Sequence, residues 1–234
     1  MTVPLNRKIV LTCALGKNGA AEAKDLPSTL RATRASIGNQ VSLSISILVE
    51  ETGLPPTPHQ MLTSEGPKPA NLVCELSSES SEGWSDLFSA ASEVVAQLGS
   101  AIDRSRSSAF AGNEVAITSG TGPALLVFGL RRQQNLSHKE FMSHWFGDHL
   151  EVGKDVEGVR YKQCHVDEGA SKELAARLGF SDRVWDGVVL SYFDDVAAGV
   201  ALMSSEAVSG AIEDEKAFVD HSQSSFGYYQ SITS

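Results

Sequence analysis

The order of the predicted strands and helices repeats in the two halves of the chain, and this repeat constrains the fold more than any other feature. In the first half, hydrophobic periodicity predicts strands at 7–15, 40–50, 70–77 and 112–118 and helices at 25–37 and 83–104. In the second half it predicts strands at 124–132, 158–166, 185–193 and 224–233 and helices at about 137–152 and 195–215. The stretch "ASKELAARLGFSD" is predicted as a loop with one helical turn. Each half therefore has the order β-α-β-β-α-β.

Two such units in tandem predict two ferredoxin-like modules, each an antiparallel sheet with both helices on one face. The boundary is predicted at 119–123, within the small and polar stretch "SGTGPA", so that the modules span 1–118 and 124–234. The strand "ALLVFGL" is apolar at both alternating positions, which indicates that both faces of its sheet are buried. We therefore predict an α+β fold of two tandem ferredoxin-like (βαββαβ) modules whose sheets face each other as a pseudo-dimeric α+β barrel.

Composition and charge argue against two classes of partner. The chain has 234 residues, of which 41% are apolar, and this is enough to bury a core. Its net charge of −10 argues against a nucleic-acid partner, because such binding depends on Lys and Arg that neutralise phosphates. The same negative charge disfavours anionic membrane surfaces, and no apolar stretch approaches the length that spans a bilayer. We expect neither partner.

The cysteines and glycines predict no cofactor or metal site. Cys13, Cys74 and Cys164 are odd in number and far apart, so the sequence contains neither a disulfide framework nor a zinc knuckle, and a reducing cytoplasm fits best. The stretches "GTGPA" and "GKNGA" lack the spaced glycines and the strand-to-helix context of a dinucleotide-binding loop. We therefore expect no metal, flavin or nicotinamide cofactor.

Three aromatic residues and three histidines lie close together on the predicted helix "SHKEFMSHWFGDHLEVG". Phe141, Trp145 and His149 are four residues apart, so they form one stripe with the histidine at its C-terminal end. A histidine in this position points into the core or into the mouth of a cleft. Two interpretations stay open, namely a pocket histidine that transfers protons and a core histidine bonded to a backbone carbonyl.

Polar residues also lie within the next two predicted strands. The strand "GVRYKQCHV" places Tyr161, Gln163 and His165 on one face. Three hydrogen-bonding side chains in a row indicate that this face lines a polar cavity or is exposed. The strand "VWDGVVLSYFD" has Asp186 and Tyr192 on one face with apolar residues, a mixture typical of a small-molecule pocket. The alternative for Asp186 is a surface aspartate at the start of a strand.

Four stretches together resemble the EthD family of the dimeric α+β barrel superfamily. They are "LSHKEFMSHWFGDHLEVG", "GVRYKQCHV", "WDGVVLSYFDD" and "FVDHSQSSFGYY", and the resemblance covers about residues 124–232. It implies a barrel formed by two ferredoxin-like modules. It also implies that His149, Tyr161 and His165 correspond to positions near the family's cleft. Asp186 and Asp220 would occupy the recurrent acidic positions of the family. The chain departs from the family where "LEVG" lacks a proline and where a histidine follows Asp220.

The predicted site belongs to the second half of the chain. The first half has no equivalent of the helix histidine, and its one histidine, His59, lies in a proline-rich loop. The predicted catalytic residues are His149, Tyr161, His165 and Asp186, and the predicted substrate-binding residues are Trp145, Gln163, Tyr192 and His221.

These residues predict a cofactor-independent enzyme in which a histidine moves protons on a small apolar compound that bears a carbonyl or phenol group. Such chemistry covers a lyase, dehydratase, isomerase or cyclase of a catabolic or polyketide-like pathway, and imidazole suits it because it can donate and accept protons at neutral pH. Two alternatives stay open. The resemblance implies a cofactor-free monooxygenase of aromatic compounds as one of them, since related barrels support such oxygenation, and the other is a non-catalytic accessory protein of a degradation pathway that binds a small molecule. Assembly as a homodimer is also left open.

Overall fold

Eight antiparallel β-strands close into a barrel. The computed structural model describes residues 6–16, 37, 41–50, 52–78, 83–153, 156–183 and 185–232. The strands are β1 (Asn6–Leu15), β2 (Ser42–Leu48), β3 (Leu72–Ser78), β4 (Ile102–Ala116), β5 (Ala124–Leu130), β6 (Arg160–Val166), β7 (Gly187–Phe193) and β8 (Ser225–Ser231). All of them correspond to strands predicted from the sequence.

The helices pack on the outside of the barrel. They are α1 (Pro58–Leu62), α2 (Ser85–Leu98), α3 (His138–Ser143), α4 (His149–Gly153), α5 (Glu168–Leu178), α6 (Val196–Met203) and α7 (Ser209–Phe218). One π-helical turn, His144–Asp148, joins α3 to α4. The helix predicted at 25–37 lies almost wholly outside the described residues.

In the part of the chain that the structure describes, no single helix is long and apolar enough to cross a membrane. Helix α6 and the segment Glu206–Phe218 pass that test only as a pair, and they are bent by 63° relative to each other.

The barrel consists of two four-stranded sheets, one from each half of the chain. In both sheets the hydrogen-bonded order is fourth, first, third and second strand of that half, which is the ferredoxin-like order. The predicted fold of two tandem ferredoxin-like modules in an α+β barrel is therefore confirmed. The structure adds a feature that the sequence did not predict: β2 pairs with β8 and β4 pairs with β6, so that the two sheets are joined at both edges. The division of the chain at 119–123 remains a proposal about domain boundaries.

Side chains along each strand alternate between the barrel interior and an outer face under the helices. In β5, Leu125 and Val127 pack in the interior, whereas Leu126 and Phe128 pack under the helices of the second half. This explains why the sequence of β5 is apolar at both alternating positions.

The connection between the second and third strands of each half covers the sheet of the other half. Helix α5 follows β6, yet its Leu174 and Leu178 pack with α2 and the outer face of the first-half sheet. Helix α1 follows β2, yet its His59 stacks on Phe226 of β8, with ring centroids 5.1 Å apart. This exchange brings a first-half residue onto the second-half sheet.

The end of α2 lies earlier than the sequence predicts. A helix was expected to continue to residue 104, but α2 ends at Leu98 because Gly99 adopts a φ of 51°. The chain then extends, and β4 begins at Ile102, ten residues before the predicted start at 112.

Two other helices also differ from expectation. Helix α5 occupies most of the segment predicted as a loop, since Asp167 caps its first turn and Gly179, with a φ of 67°, ends it. The single helix predicted at 195–215 is broken into α6 and α7, with a bend at Ser204 and Ser205.

Candidate functional site

A cavity of about 110 Å³ lies between the second-half sheet and the helices that cover it. Its wall is mostly apolar and includes Leu126, Phe128, Val189, Ile212, Phe218 and Phe226. Its polar groups belong to His59, His149, Tyr161, Ser191 and Glu215. An apolar cavity with a few converging polar groups is typical of a small-molecule site. Since one water needs roughly 10–15 Å³ of such space, the cavity suits a compound about the size of one substituted ring.

The helical segment from α3 to α4 brings His149 to this cavity. Phe141 and Trp145 are fully buried and His149 is 8% exposed, so the three residues form the buried stripe that their spacing predicted. The backbone changes to π-helical bonding within the stripe, where the N–H of His149 donates to the carbonyl of His144, five residues earlier. Single π turns inside helices are frequent at functional sites.

Two carboxylates from adjacent residues of α7 face the two ring nitrogens of His149. Asp214 Oδ2 lies 2.9 Å from Nδ1, and Glu215 Oε1 lies 4.0 Å from Nε2. When Nδ1 carries the proton it donates to Asp214, and Nε2 is then free to accept a proton. Asp214 also contacts Nε2 of His144 at 3.1 Å, on the solvent side of the site.

Glu215 is buried and interacts with two more histidines. Nε2 of His59 lies 3.0 Å and Nε2 of His221 lies 3.3 Å from its Oε2. Burial by itself would raise the pKa of Glu215, but the charge of His59, hydrogen bonds from His221 and His59, and the charge of His149 lower it to about 2. Glu215 is therefore a carboxylate at neutral pH.

His59 comes from the first half of the chain, so the prediction that the site draws on the second half alone is wrong for the cavity wall. Its segment reads as a proline-rich loop, but Thr57 caps a short helix that starts at Pro58 and lies against β8. The ring of His59 is buried against Phe128 and Phe226. Its Nδ1 has no hydrogen-bond partner among the described residues.

Tyr161, Gln163 and His165 share the outer face of β6, as their alternation predicted. Nε2 of Gln163 donates to Tyr161 Oη at 3.0 Å, and Nε2 of His165 lies 2.8 Å from Gln163 Oε1. Of these three, Tyr161 lines the cavity, whereas His165 packs against the rings of Trp145 and Phe146. Burial raises the pKa of Tyr161 more than the hydrogen bond from Gln163 lowers it, so the phenol stays protonated at neutral pH.

Asp186 lies outside the cavity, just before β7. Arg131 Nη1 lies 3.0 Å from its Oδ2, His138 Nδ1 lies 3.2 Å from its Oδ1, and the guanidinium of Arg132 also contacts Oδ1. Asp186 is buried, and these partners compensate the cost of burying its charge. The structure therefore does not bring Asp186 together with His149.

Tyr192 also lies away from the cavity, inside the barrel. Ser191 pairs with Tyr161 and faces the cavity, so the alternation along β7 turns Tyr192 to the opposite face of the sheet. There its hydroxyl donates to Glu75 at 2.6 Å, and Glu75 pairs with the buried ammonium of Lys8 at 2.8 Å. The sequence predicted which residues of β7 share a face, but not which face carries the cavity.

Trp145 and His221 contribute in different ways. Trp145 lines the cavity, whereas His221 does not and instead contacts Glu215. Asp220, the other acidic position that the resemblance implied, accepts from the backbone of Ser222 in the turn after α7. Over the described ranges, no group of three His, Cys, Asp or Glu residues is arranged to hold a metal ion.

Asp214 and Glu215 are not among the site residues that the sequence predicted. A signal for Glu215 is present, because it lies three residues after Ile212 and three before Phe218, both of which are buried. An acidic residue at an apolar position of a helix indicates a buried partner. Asp214 has no comparable signal, since its role depends on the position of α7 relative to α4.

The comparisons with known proteins agree with this architecture. Residues 133–222 match the family model for the EthD domain, a segment that includes His149, Tyr161 and Glu215 but not His59. A sequence comparison with curated proteins finds no significant match.

Several solved structures share the fold over nearly the whole chain. A variant of the chlorite dismutase from Candidatus Nitrospira defluvii has a TM-score of 0.58 at 12% identity, covering 97% of this chain and 92% of that chain. A proposed monooxygenase from Lactobacillus acidophilus NCFM has a TM-score of 0.54 at 8% identity, covering 98% and 95%. An anthrone oxidase-like protein has a TM-score of 0.56 at 11% identity, covering 98% and 92%. At these identities the likeness establishes the dimeric α+β barrel fold.

Proposed function

We propose that this chain, whose residues 133–222 form an EthD domain within a dimeric α+β barrel fold, is an enzyme that processes a small molecule. The proposed chemistry is acid/base catalysis by His149 on a small apolar compound with a carbonyl or phenol group. It covers lyase, dehydratase, isomerase and cyclase reactions and uses only side chains of this chain. The observation that carries the proposal is that His149, which lines a mostly apolar cavity, contacts Asp214 at one ring nitrogen.

In the proposed step, Nε2 of His149 takes a proton from an acidic C–H or O–H group of the substrate. The electron pair left behind moves onto the substrate oxygen, which gives an enolate or phenolate. Asp214 holds the ring through Nδ1 and balances the positive charge that the imidazole gains, which is how a carboxylate supports a histidine base. Return of the proton to another substrate atom completes an isomerisation, and its transfer to a leaving hydroxyl releases water.

Two other groups support this step. The protonated hydroxyl of Tyr161 lines the cavity and is a suitable donor to the substrate oxygen as its negative charge develops. The carboxylate of Glu215 lies 4.0 Å from Nε2 of His149, where it can stabilise the positive charge that the ring gains during the step. The apolar wall strengthens both effects, because electrostatic interactions are stronger where water is excluded.

The second candidate function is a cofactor-free monooxygenase of aromatic compounds. It uses the same cavity and the same first step, since removal of a phenolic proton by His149 produces the electron-rich anion that reacts with oxygen. A third candidate, from a different class, is an accessory protein that binds the same compound and does not convert it.

The proposal can be tested without knowledge of the natural substrate. Cyclohexanone and 2-tetralone are incubated with the protein in D₂O, and deuterium incorporation at the carbon next to the carbonyl is followed by NMR. We expect exchange faster than in buffer, and a decrease by about 10²- to 10⁴-fold in His149→Gln, the range for loss of a general base. His138→Gln is the matched control, because His138 lies outside the cavity, and its rate should equal that of the parent protein.

Two outcomes decide between the candidates. Hydroquinone, a one-ring phenol, is the probe for the monooxygenase. Oxygen consumption with hydroquinone that is lost in His149→Gln, without ketone exchange, would favour this candidate. Binding of these compounds without exchange or oxygen consumption would refute enzymatic activity on them and favour the accessory protein.

A further inference from the structure

A second cavity lies apart from the one that contains His149. It has a volume of about 510 Å³ and lies at one end of the barrel interior. Val127, Trp185 and Tyr229, which form part of its wall, belong to the interior core cluster. Val127 points to the opposite side of β5 from the residues that line the His149 cavity. The two cavities are therefore on opposite faces of the same sheet.

Positive side chains surround this barrel-end cavity although the chain as a whole is acidic. Lys68, Arg106 and Arg183 line it, and Asp182 is the one acidic residue in its wall. Lys68 Nζ donates to the backbone carbonyl of Ser64 at 3.4 Å. Arg183 is exposed at the rim of the cavity, and partial desolvation lowers the pKa of its guanidinium. The net charge of this wall is thus opposite in sign to the net charge of −10 for the whole protein.

The indole of Trp185 supplies a second, independent observation. Its ring is 3% exposed and stacks on Phe110, with centroids 4.2 Å apart and an angle of 9° between the planes. Its N–H is buried and has no hydrogen-bond acceptor among the described residues. Buried indole N–H groups normally have an acceptor, so Trp185 brings an unpartnered donor to the wall of the cavity.

The remaining wall contains further hydrogen-bonding groups. Thr12, Asn71, Ser105, Ser181 and Ser225 line the cavity together with the aromatic rings of Trp185 and Tyr229. A volume of this size lies within the range of roughly 300–1,000 Å³ that is usual for small-molecule sites.

We propose that the barrel-end cavity is a second binding site, which takes a small organic anion with a planar apolar body. Arg106 and Arg183 bind its acidic group, and the indole of Trp185 provides an apolar surface and a hydrogen-bond donor for the body. A carboxylate is a suitable acidic group because guanidinium and carboxylate form paired hydrogen bonds. This site is independent of the proposed acid/base chemistry at His149.

The three tryptophans allow the two cavities to be observed separately. Trp145 lines the His149 cavity, Trp185 lines the barrel-end cavity, and Trp84 packs on Arg7 outside the barrel. The protein is labelled with 5-fluorotryptophan, and the three ¹⁹F resonances are assigned with Trp84→Phe, Trp145→Phe and Trp185→Phe. The probe is 2-naphthoate, with neutral 2-naphthamide as its matched control.

We expect 2-naphthoate to shift the Trp185 resonance and to leave the Trp84 resonance unchanged. The parent protein should bind the amide about tenfold more weakly than it binds 2-naphthoate. Arg183→Gln and Arg106→Gln should each bind 2-naphthoate about tenfold more weakly than the parent protein does. A tenfold change in affinity corresponds to the loss of one charge-assisted contact. Lys139→Gln, which removes an exposed positive charge from α3, should bind as the parent protein does.

Three results would overturn the proposal: no Trp185 shift at millimolar 2-naphthoate, equal affinity for the acid and the amide, or equal affinity of Arg183→Gln and Lys139→Gln. A shift of Trp145 alone would assign the probe to the His149 cavity and would also overturn it. Failure of the ketone exchange assay would leave these results unaffected, so the two proposals are tested separately.

Discussion

His149 contacts one carboxylate at a hydrogen-bonding distance and has a second carboxylate near its other nitrogen. The difference between 2.9 Å to Asp214 and 4.0 Å to Glu215 determines which nitrogen is held and which is available. A histidine held at Nδ1 presents Nε2 with a fixed direction, which reduces the reorganisation needed for proton transfer.

This geometry predicts the effect of Asp214→Asn. An asparagine can donate its amide proton to Nδ1, so the ring proton moves to Nε2 and the base is lost. We expect the rate of the exchange reaction to fall by about 10²-fold or more, within the range for loss of a general base. The rate constant and KM are measured separately, because a positioning role lowers kcat with little change in KM. A variant with unchanged kcat would contradict the role of Asp214.

His165 predicts a pH dependence of stability. Burial lowers the pKa of His165 from 6.5 to about 4, and repulsion from His138 is a second, smaller cause of this decrease. Between these values the unfolded chain binds a proton that the folded chain does not, so His165 stabilises the folded state above pH 6.5 and loses this contribution as the pH falls toward 4. In His165→Gln, the free energy of unfolding measured with urea should therefore decrease less between pH 7 and 4.

The control for this measurement is Lys139→Gln, which should retain the pH dependence of the parent protein. If the free energy of unfolding changes with pH equally in His165→Gln and in the parent protein, the shifted pKa of His165 does not contribute to the pH dependence of stability.

At the scale of elements, the segment from α3 to α4 is held against β7 by a close contact between Trp145 and Gly187. A Cβ atom at Gly187 would lie 2.2 Å from the Trp145 ring, so only glycine allows this approach. The contact determines how deeply the helical segment lies on the sheet, and Trp145 in turn forms part of the cavity wall.

We therefore predict that Gly187→Ala destabilises the protein and alters the cavity. The ring of Trp145 must move, and overpacking of this kind typically costs about 1–3 kcal/mol. Gly147→Ala is the matched control, since a Cβ there meets no atom within 4 Å. Thermal unfolding monitored by circular dichroism should give a lower midpoint for Gly187→Ala alone. Equal midpoints for the two variants would show that the Trp145 ring adapts without cost.

For the whole molecule, the important feature is that neither half is complete without the other. The pairs β2–β8 and β4–β6 close the barrel, and without them each half has two unpaired strand edges. Helices α1 and α5 each cover the sheet of the opposite half, and the interior faces of both sheets form one cluster.

This interdependence predicts the behaviour of the fragments 1–118 and 124–234. Each fragment alone would expose its interior face and its edges, so neither should unfold with the cooperative thermal transition of the intact chain. Mixing the fragments in equal amounts should restore that transition, as measured by circular dichroism. A fragment 124–234 that melts as cooperatively as the intact chain would contradict this prediction and would show that the second half folds alone.

The sequence by itself determined the local features of this protein. Alternating apolar residues located the strands, the repeated element order predicted two ferredoxin-like modules, and the four-residue spacing of Phe141, Trp145 and His149 predicted one buried stripe. These features depend on residues close together in the chain, whose relative directions follow from the period of the helix or strand.

Only the tertiary structure decided how the local features combine. The face of β7 toward the cavity, the contact of α1 with β8 and the position of Asp214 at His149 all depend on packing between distant segments. Tyr192 and His59 illustrate the two kinds of error, since one was expected in the cavity and lies inside the barrel, whereas the other was assigned to a loop and lines the cavity. The physical reason is that periodicity defines the faces of each element but carries no information about which distant element covers each face.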